Sequence, residues 1–211
     1  MYNRHRLFCY KDGIQLKKHI NELTKEIFRK AIHICAAFVP LLLRWAYKPV
    51  MILLTLVLIV YCIAEFIRYK GKTVPFISAI TAAAARKRDE NRFVLGPATL
   101  ATGILVTAAF FNPCAAKIGI LALAFGDGLA SLVGKFFGRI TIPFSDGKTV
   151  AGSQTCFIAI FCSTFLVTKR ADVSFGVALT GMFIEILPLK DFDNLLIPIA
   201  IASISQFYFH I

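Results

Sequence analysis

Long apolar runs alternate with short polar interruptions along most of the chain. Runs over 31–47, 49–67, 93–111, 115–136, 152–168, 173–188 and 191–209 approach the roughly 20 residues a helix needs to cross a bilayer core. A further stretch, 74–85 (VPFISAITAAAA), is too short to cross and reads as re-entrant or interfacial. Residues 1–30 are basic and polar. Within "LKKHINELTKEIFRK", Ile20, Leu23, Ile27 and Phe28 share one helical face, with Lys17, Lys18, Lys25 and Arg29 largely elsewhere. A helix lying on an anionic leaflet has that pattern. The pattern therefore predicts an all-α, polytopic membrane protein of about seven transmembrane helices with an amphipathic N-terminal helix. Residues 1–30 form a basic cytoplasmic or interfacial segment, and 31–211 a single transmembrane domain.

Composition agrees. The 211 residues are 57% hydrophobic and 17% charged, with a mean hydropathy of +0.70, against 45–50% apolar residues in ordinary soluble domains. The six cysteines show no metal-ligand spacing and most fall inside apolar runs, which reads as buried free thiols. The apolar stretch after the basic segment lacks a small-x-small cleavage site, so no secretory signal is expected.

The net charge of +12 gives the topology. The N-terminal segment carries 8 Lys and Arg, the 68–92 loop 7, the 135–150 loop 3 and the 188–193 turn 1, against 5 in the alternate segments. The positive-inside rule puts the first set, with the N-terminus, in the cytoplasm, and the C-terminus on the opposite side. Five polar clusters then converge on the cytoplasmic face: "RKAIH" (29–33), "ARKRDENR" (85–92), Asp127, "SDGKTVAGS" (145–153) and "EILPLKDFDN" (185–194). Arg86, Lys87, Arg88 and Arg92 read as topology determinants or phosphate contacts. No nucleic-acid partner is expected.

Asp127 is the least ordinary of these residues. It sits inside an apolar run with Gly126 and Gly128 on either side, where an unpaired carboxylate costs roughly 2.5–3.5 kcal/mol on insertion scales. It needs a partner, a cation or water. A helix broken at "GDG" would expose backbone groups that only protein or a polar cavity can cover. Ser131 shares its face if the helix continues. Gly134 and Gly138 match a small-xxx-small packing motif as readily as a functional one. Lys148, Thr149, Gly152 and Ser153 lie just before a helix, where backbone N–H groups and a lysine suit phosphate. A Walker A reading fails, because Ile142 stands where glycine is required and no strand precedes it. Glu185, Asp191, Asp193 and Asn194 complete the set, with helix capping the plainer role for Asp193 and Asn194. Acids beside a phosphate loop hold Mg²⁺ or take the proton of an attacking hydroxyl.

"FRKAIH", "FGDGLASLVGKFFGR", "GKTVAGS" and "EILPLKDFDNLLIP" resemble, in that order, the motifs of the polyprenol kinase family, over about Glu22 to Pro198. That family includes dolichol, phytol and farnesol kinases and CTP-dependent diacylglycerol kinases. The resemblance implies a multi-spanning phosphotransferase that moves the terminal phosphate of CTP to a membrane lipid alcohol, with a divalent cation. By position it carries Asp127, Gly134, Lys148, Gly152 and Ser153 to the nucleotide site, and Glu185, Asp193 and Asn194 to the same polar centre. Arg29, Lys135 and Thr149 are expected on the nucleotide side, and His33 and Asn194 near the lipid. Asp127, Glu185 and Asp193 are the expected catalytic acids, with Asp127 and Glu185 the expected Mg²⁺ ligands. Two rival expectations are a phosphatidate cytidylyltransferase-like CTP enzyme and an ion-coupled transporter with a helix broken at "GDG".

Overall fold

The computed structural model describes residues 20–72, 81, 92–208 and 210. The expectations for residues 1–19, for Arg86, Lys87 and Arg88, and for nearly all of the 74–85 stretch lie outside the described residues. Among the described residues every regular element is helical. Two-stranded pairing is limited to one antiparallel bridge between Thr141 and Thr149.

Helix α1 (20–35) runs through a single 3₁₀ turn, Ala36–Phe38, into α2 (Val39–Tyr69). Ala46 interrupts α2 with non-helical torsions (φ −148°, ψ 68°), three residues before Pro49. The proline ring has no N–H to give and clashes with the carbonyl four residues back, that of Trp45. Helix α3 (Gly96–Phe110) turns at Phe111 and Asn112 into α4 (Pro113–Leu121). The Asn112 side chain caps α4 by accepting from the N–H groups of Cys114 (3.0 Å) and Ala115 (2.9 Å), which satisfies donors the helix itself leaves open.

The chain then passes without a break through a π-helical turn, Ala122–Asp127, into α5 (Gly128–Phe137). So the helix widens at "GDG" and does not break there. A loop leads to α6 (Val150–Thr168), then α7 (Ala171–Ile186) and α8 (Asp193–Ser203), which ends in a second π turn, Ile204–Tyr208.

Side-chain contacts fix the directions. α1 runs against α5, with Glu26 at Ser131 and Lys30 at Asp127. The far arm of α2 runs against α3, with the Tyr47 hydroxyl donating to Ala108 O (3.1 Å) and that of Tyr61 to Val94 O (2.7 Å). Since α3 and the α4–α5 rod are antiparallel neighbours, the two arms on either side of Ala46 run opposite ways. The chain reverses there, at the boundary expected between the 31–47 and 49–67 runs.

Three helical stretches are long and apolar enough to cross a membrane by length and composition: Ile20–Tyr69, Pro113–Phe137 and Val150–Thr168. α3 is apolar but has 15 residues, about 22 Å at the α-helical rise against a core of about 30 Å. An all-helical, membrane-type bundle is thus the architecture. α8 lies at its centre, packed against α3, α4 and α7. Ile118, Ile120, Leu123, Ile160, Val177 and Ile201 are fully enclosed. Gly103 and Gly119 let α3 and α4 close onto the α8 backbone, where a Cβ would strike the carbonyls of Asn194 and Pro198. The α2 surface, by contrast, exposes Leu41, Trp45, Ile52, Leu53 and Leu56, as a lipid-facing helix does.

Candidate active site

Among the described residues, besides the fully buried Glu65 that pairs with Arg68 and accepts from the Val94 N–H, polar side chains inside this apolar bundle gather in three adjoining clusters. The first surrounds Glu26 on α1. Its carboxylate pairs with Arg29, accepts from Ser131 Oγ (2.6 Å) and meets Lys135 Nζ (2.7 Å). Arg29 and Lys135, both expected to face the nucleotide, therefore converge on an acid the sequence reading passed over. Arg29 is buried, whereas the Lys135 side chain remains 44% exposed.

The second cluster holds Asp127. Lys30 Nζ lies 2.5 Å from Asp127 Oδ2, and His33 Nδ1 lies 3.0 Å from the same oxygen. The histidine contact is close enough for charge attraction but is not aligned as a hydrogen bond. All three side chains are at least nine-tenths buried. Asp127 thus has its cation from α1, across the helix interface, and His33 is enclosed beside it. The π turn brings this about: its extra residue swells the rod just where Asp127 must reach α1.

The third cluster joins the loop before α6 to the end of α7. Lys148 Nζ donates to the Glu185 backbone carbonyl, and lies 3.5 Å from Glu185 Oε1 and 3.9 Å from Asp193 Oδ2. Ser153 Oγ donates to Glu185 Oε2 (3.1 Å). Asp193 Oδ1 accepts from the Asn194 N–H (2.9 Å). The Asn194 amide donates to Gly96 O and Thr99 Oγ1, each at 3.3 Å, so its side chain ties α8 to α3. Asp193 is also within electrostatic reach of Asp127 and Lys30, which makes the second and third clusters one polar centre. Asp191 lies beside Gly96.

The helix start at α6 is largely self-satisfied. Thr149 Oγ1 caps it by accepting from Gly152 N (3.2 Å), Ser153 N donates to Thr149 O (3.0 Å), and Val150 N donates to Ile140 O (3.0 Å). Little backbone is left there for a phosphate, so anion contacts at this end fall to side chains. Gly134 and Gly152 face each other across the α5–α6 contact; a Cβ on Gly134 would sit 2.9 Å from Thr149 Oγ1. Close packing is what these glycines do in the fold.

Among the described residues no three His, Cys, Asp or Glu side chains converge into a metal cage. Asp127 and Glu185 each already face a lysine. The donor set suits one or two carboxylate contacts to a hydrated cation that arrives with phosphate oxygens, which is how Mg²⁺ is usually held.

Sequence reading missed Lys30 and Glu26. Their signal was present: Glu26, Arg29, Lys30 and His33 recur at helical spacing, a polar stripe on a helix whose other face holds Ile20, Ile27 and Phe28. In water such a stripe faces solvent. In a bilayer it faces protein, and the structure buries it while leaving Ile20, Ile27 and Phe28 exposed.

Comparison with known proteins follows the same lines. A phytol kinase of Synechocystis is 34% identical over 118 residues, half of each chain. The CTP-dependent diacylglycerol kinase 1 of Saccharomyces cerevisiae is 27% identical over 151 residues, 68% of this chain and 52% of that one. Over half to two thirds of its length, the chain is thus similar to lipid-alcohol kinases. An uncharacterised protein of Methanocaldococcus jannaschii is 29% identical over 185 residues, 85% of this chain and 92% of that one. The chain spans about half the length of most of the phytol kinases it matches. No family model and no solved structure matches it.

Proposed function

We propose that this lipid-kinase relative transfers the terminal phosphate of a nucleoside triphosphate, CTP foremost, to the hydroxyl of a membrane lipid alcohol. The observation that carries the reading is the polar centre itself. Asp127, Glu185 and Asp193 are buried together with Lys30 and Lys148 inside an apolar bundle, at the end where Glu26 gathers Arg29 and Lys135. Four acids face four bases, so the centre is close to neutral before substrate arrives. A triphosphate must then bring its own countercharge, which a divalent cation would supply, and Asp127 and Glu185 are the residues we propose would hold it. CTP as donor is supported by the yeast relative, whose name makes it CTP-dependent.

In the transfer, the lipid oxygen forms a bond to the γ-phosphorus as the bond to the β–γ bridging oxygen breaks, and CDP leaves. The hydroxyl proton goes to a carboxylate. Asp193 is best suited, because its closest lysine stands at 3.9 Å while Asp127 and Glu185 are held more tightly. Lys30, Lys148 and Arg29 contribute by holding charge in fixed positions within a water-poor site, where such contacts are strongest. We take the chain to pass seven times through the bilayer, with the shorter helices tilted or locally thinning it; on that count the positive-inside rule favours a cytoplasmic site and a C-terminus on the other side.

Purified protein incubated with each of four nucleotides, labelled separately at the α- and γ-phosphates, tests the proposal. The acceptor panel is diacylglycerol, a polyprenol, phytol and farnesol, with phosphatidic acid in a separate arm. γ-Label should appear in one of the lipids. Transfer of α-label to phosphatidic acid would establish the cytidylyltransferase reading instead, and no labelled lipid with any pair would sink both. The transporter reading loses its basis, since the helix is continuous through "GDG".

A further inference from the structure

Loop 138–149 joins two of the helices long enough to span a bilayer, Pro113–Phe137 and Val150–Thr168, and so lies at one membrane face. It is short, well braced and oddly apolar. Ile142 N donates to Lys148 O (2.8 Å) and Val150 N to Ile140 O (3.0 Å), on either side of the Thr141–Thr149 bridge. Ser145 is buried, with its hydroxyl donating to Ile142 O (2.6 Å). The bracing holds Phe144 out at the tip. Its side chain is 98% exposed, and its backbone is left-handed (φ 63°), a region that penalises any residue with a Cβ. Phe136, Phe137 and Ile140 are exposed beside it, and the bridge sets Ile140 next to Val150, also exposed. Lys135 and Arg139, both exposed, flank the group.

A polar loop would normally carry none of this. A fully exposed phenylalanine is unfavourable in water and a left-handed one is strained in any solvent, and nothing among the described residues covers this ring. The exposure is accounted for if the loop tip lies in lipid, where aromatic rings favour the headgroup boundary and basic residues meet anionic phosphates, and seating the ring there offsets the torsional cost of holding it out. We propose that Phe144, with Ile140 and the Phe136–Phe137 pair, forms an interfacial anchor seated in an anionic leaflet. Lys148 is four residues on, and the bridge ties it to Ile142. The anchor therefore sets the depth at which the α6 end of the polar centre meets the bilayer. The proposal concerns how the loop is seated and stands whether or not phosphate is transferred.

Trp45 is the sole tryptophan, which makes fluorescence a direct test. In a Trp45→Phe background, Phe144→Trp protein is reconstituted into phosphatidylcholine vesicles with and without phosphatidylglycerol. Lipids carrying a nitroxide near the headgroup should quench the new indole strongly. Aqueous iodide should quench it several-fold less than it quenches free N-acetyltryptophanamide. Phosphatidylglycerol should deepen the protection, and Arg139→Gln should remove that dependence. Undiminished iodide quenching with no effect of the lipid nitroxide would overturn the proposal. So would an emission that responds only to CTP, which would make Phe144 a base-stacking residue, or only to protein dilution, which would make it a contact between copies. Ile140→Trp in the same background reads the same patch should Phe144→Trp fail to fold.

Discussion

Asp127 and Lys30 each make the other tolerable. Removing one partner of a buried pair leaves a bare charge and typically costs about 3–5 kcal/mol, whereas removing both is often close to neutral. Lys30→Met and Asp127→Asn should each therefore lower the melting temperature in detergent markedly. The double variant should recover most of the loss. Neither the singles nor the double should transfer phosphate if the pair belongs to the reaction centre. A double variant with near wild-type turnover would make the pair purely structural. Sequence alone showed that Asp127 needed a partner but did not identify it. Its cation sits 97 residues away, in a basic flank that topology already explained, and only the packing of α1 on α5 distinguishes Lys30 from its neighbours.

At the α5–α6 contact, the Thr149 cap and the Gly134 gap depend on each other. Thr149→Ser keeps the oxygen that accepts from Gly152 N and should leave stability nearly unchanged, while Thr149→Ala should cost about 1 kcal/mol. Gly134→Ala drives a methyl against that same oxygen; overpacking of this kind costs roughly 1–3 kcal/mol and should displace Lys148 as well. Thermal melts together with the KM for nucleotide separate the two effects: Thr149→Ser leaves both in place, and Gly134→Ala worsens both. The helices themselves were legible, because apolar runs bounded by Pro, Gly and Asn leave few alternatives. Pro49, Asn112 with Pro113, and Gly96 with Pro97 all stand at or near observed boundaries. The state of "GDG" was not legible. A broken helix and a π turn use the same glycines, and what separates them is whether neighbouring helices cover the backbone.

For the molecule as a whole, the proposed topology sets the 138–149 loop and the Lys169–Arg170 turn on opposite faces, since the 19-residue α6 connects them. Asp146→Cys and Arg170→Cys, each in a background with its own exposed cysteines replaced by alanine, should react with an impermeant maleimide from opposite sides of sealed vesicles. Asp146→Cys is expected to label from the cytoplasmic side. Labelling of both from one side would undo the span assignment, and with it the account of the loop's setting. Charge counting reached this arrangement from sequence because lysine and arginine distribution is an overall property. The pairing of those charges with particular acids is local, and needed the fold.

The π turn at Ala122–Asp127 also sets a length. Such a turn takes one more residue than the α-helical turn it replaces, because its hydrogen bonds run from i to i+5. Deleting Ala124 should therefore leave a regular rod in which α4 keeps its place against α8 while Asp127 turns away from Lys30, and the protein should melt well below the wild type, as the single variants of that pair do. Helix content by circular dichroism should stay near the wild type while the melting temperature falls and phosphate transfer disappears; unchanged melting and transfer would show that the pair does not depend on the turn. On this account the spacing of one spanning segment, a single amino acid longer than a regular helix would need, decides whether a buried carboxylate meets its cation.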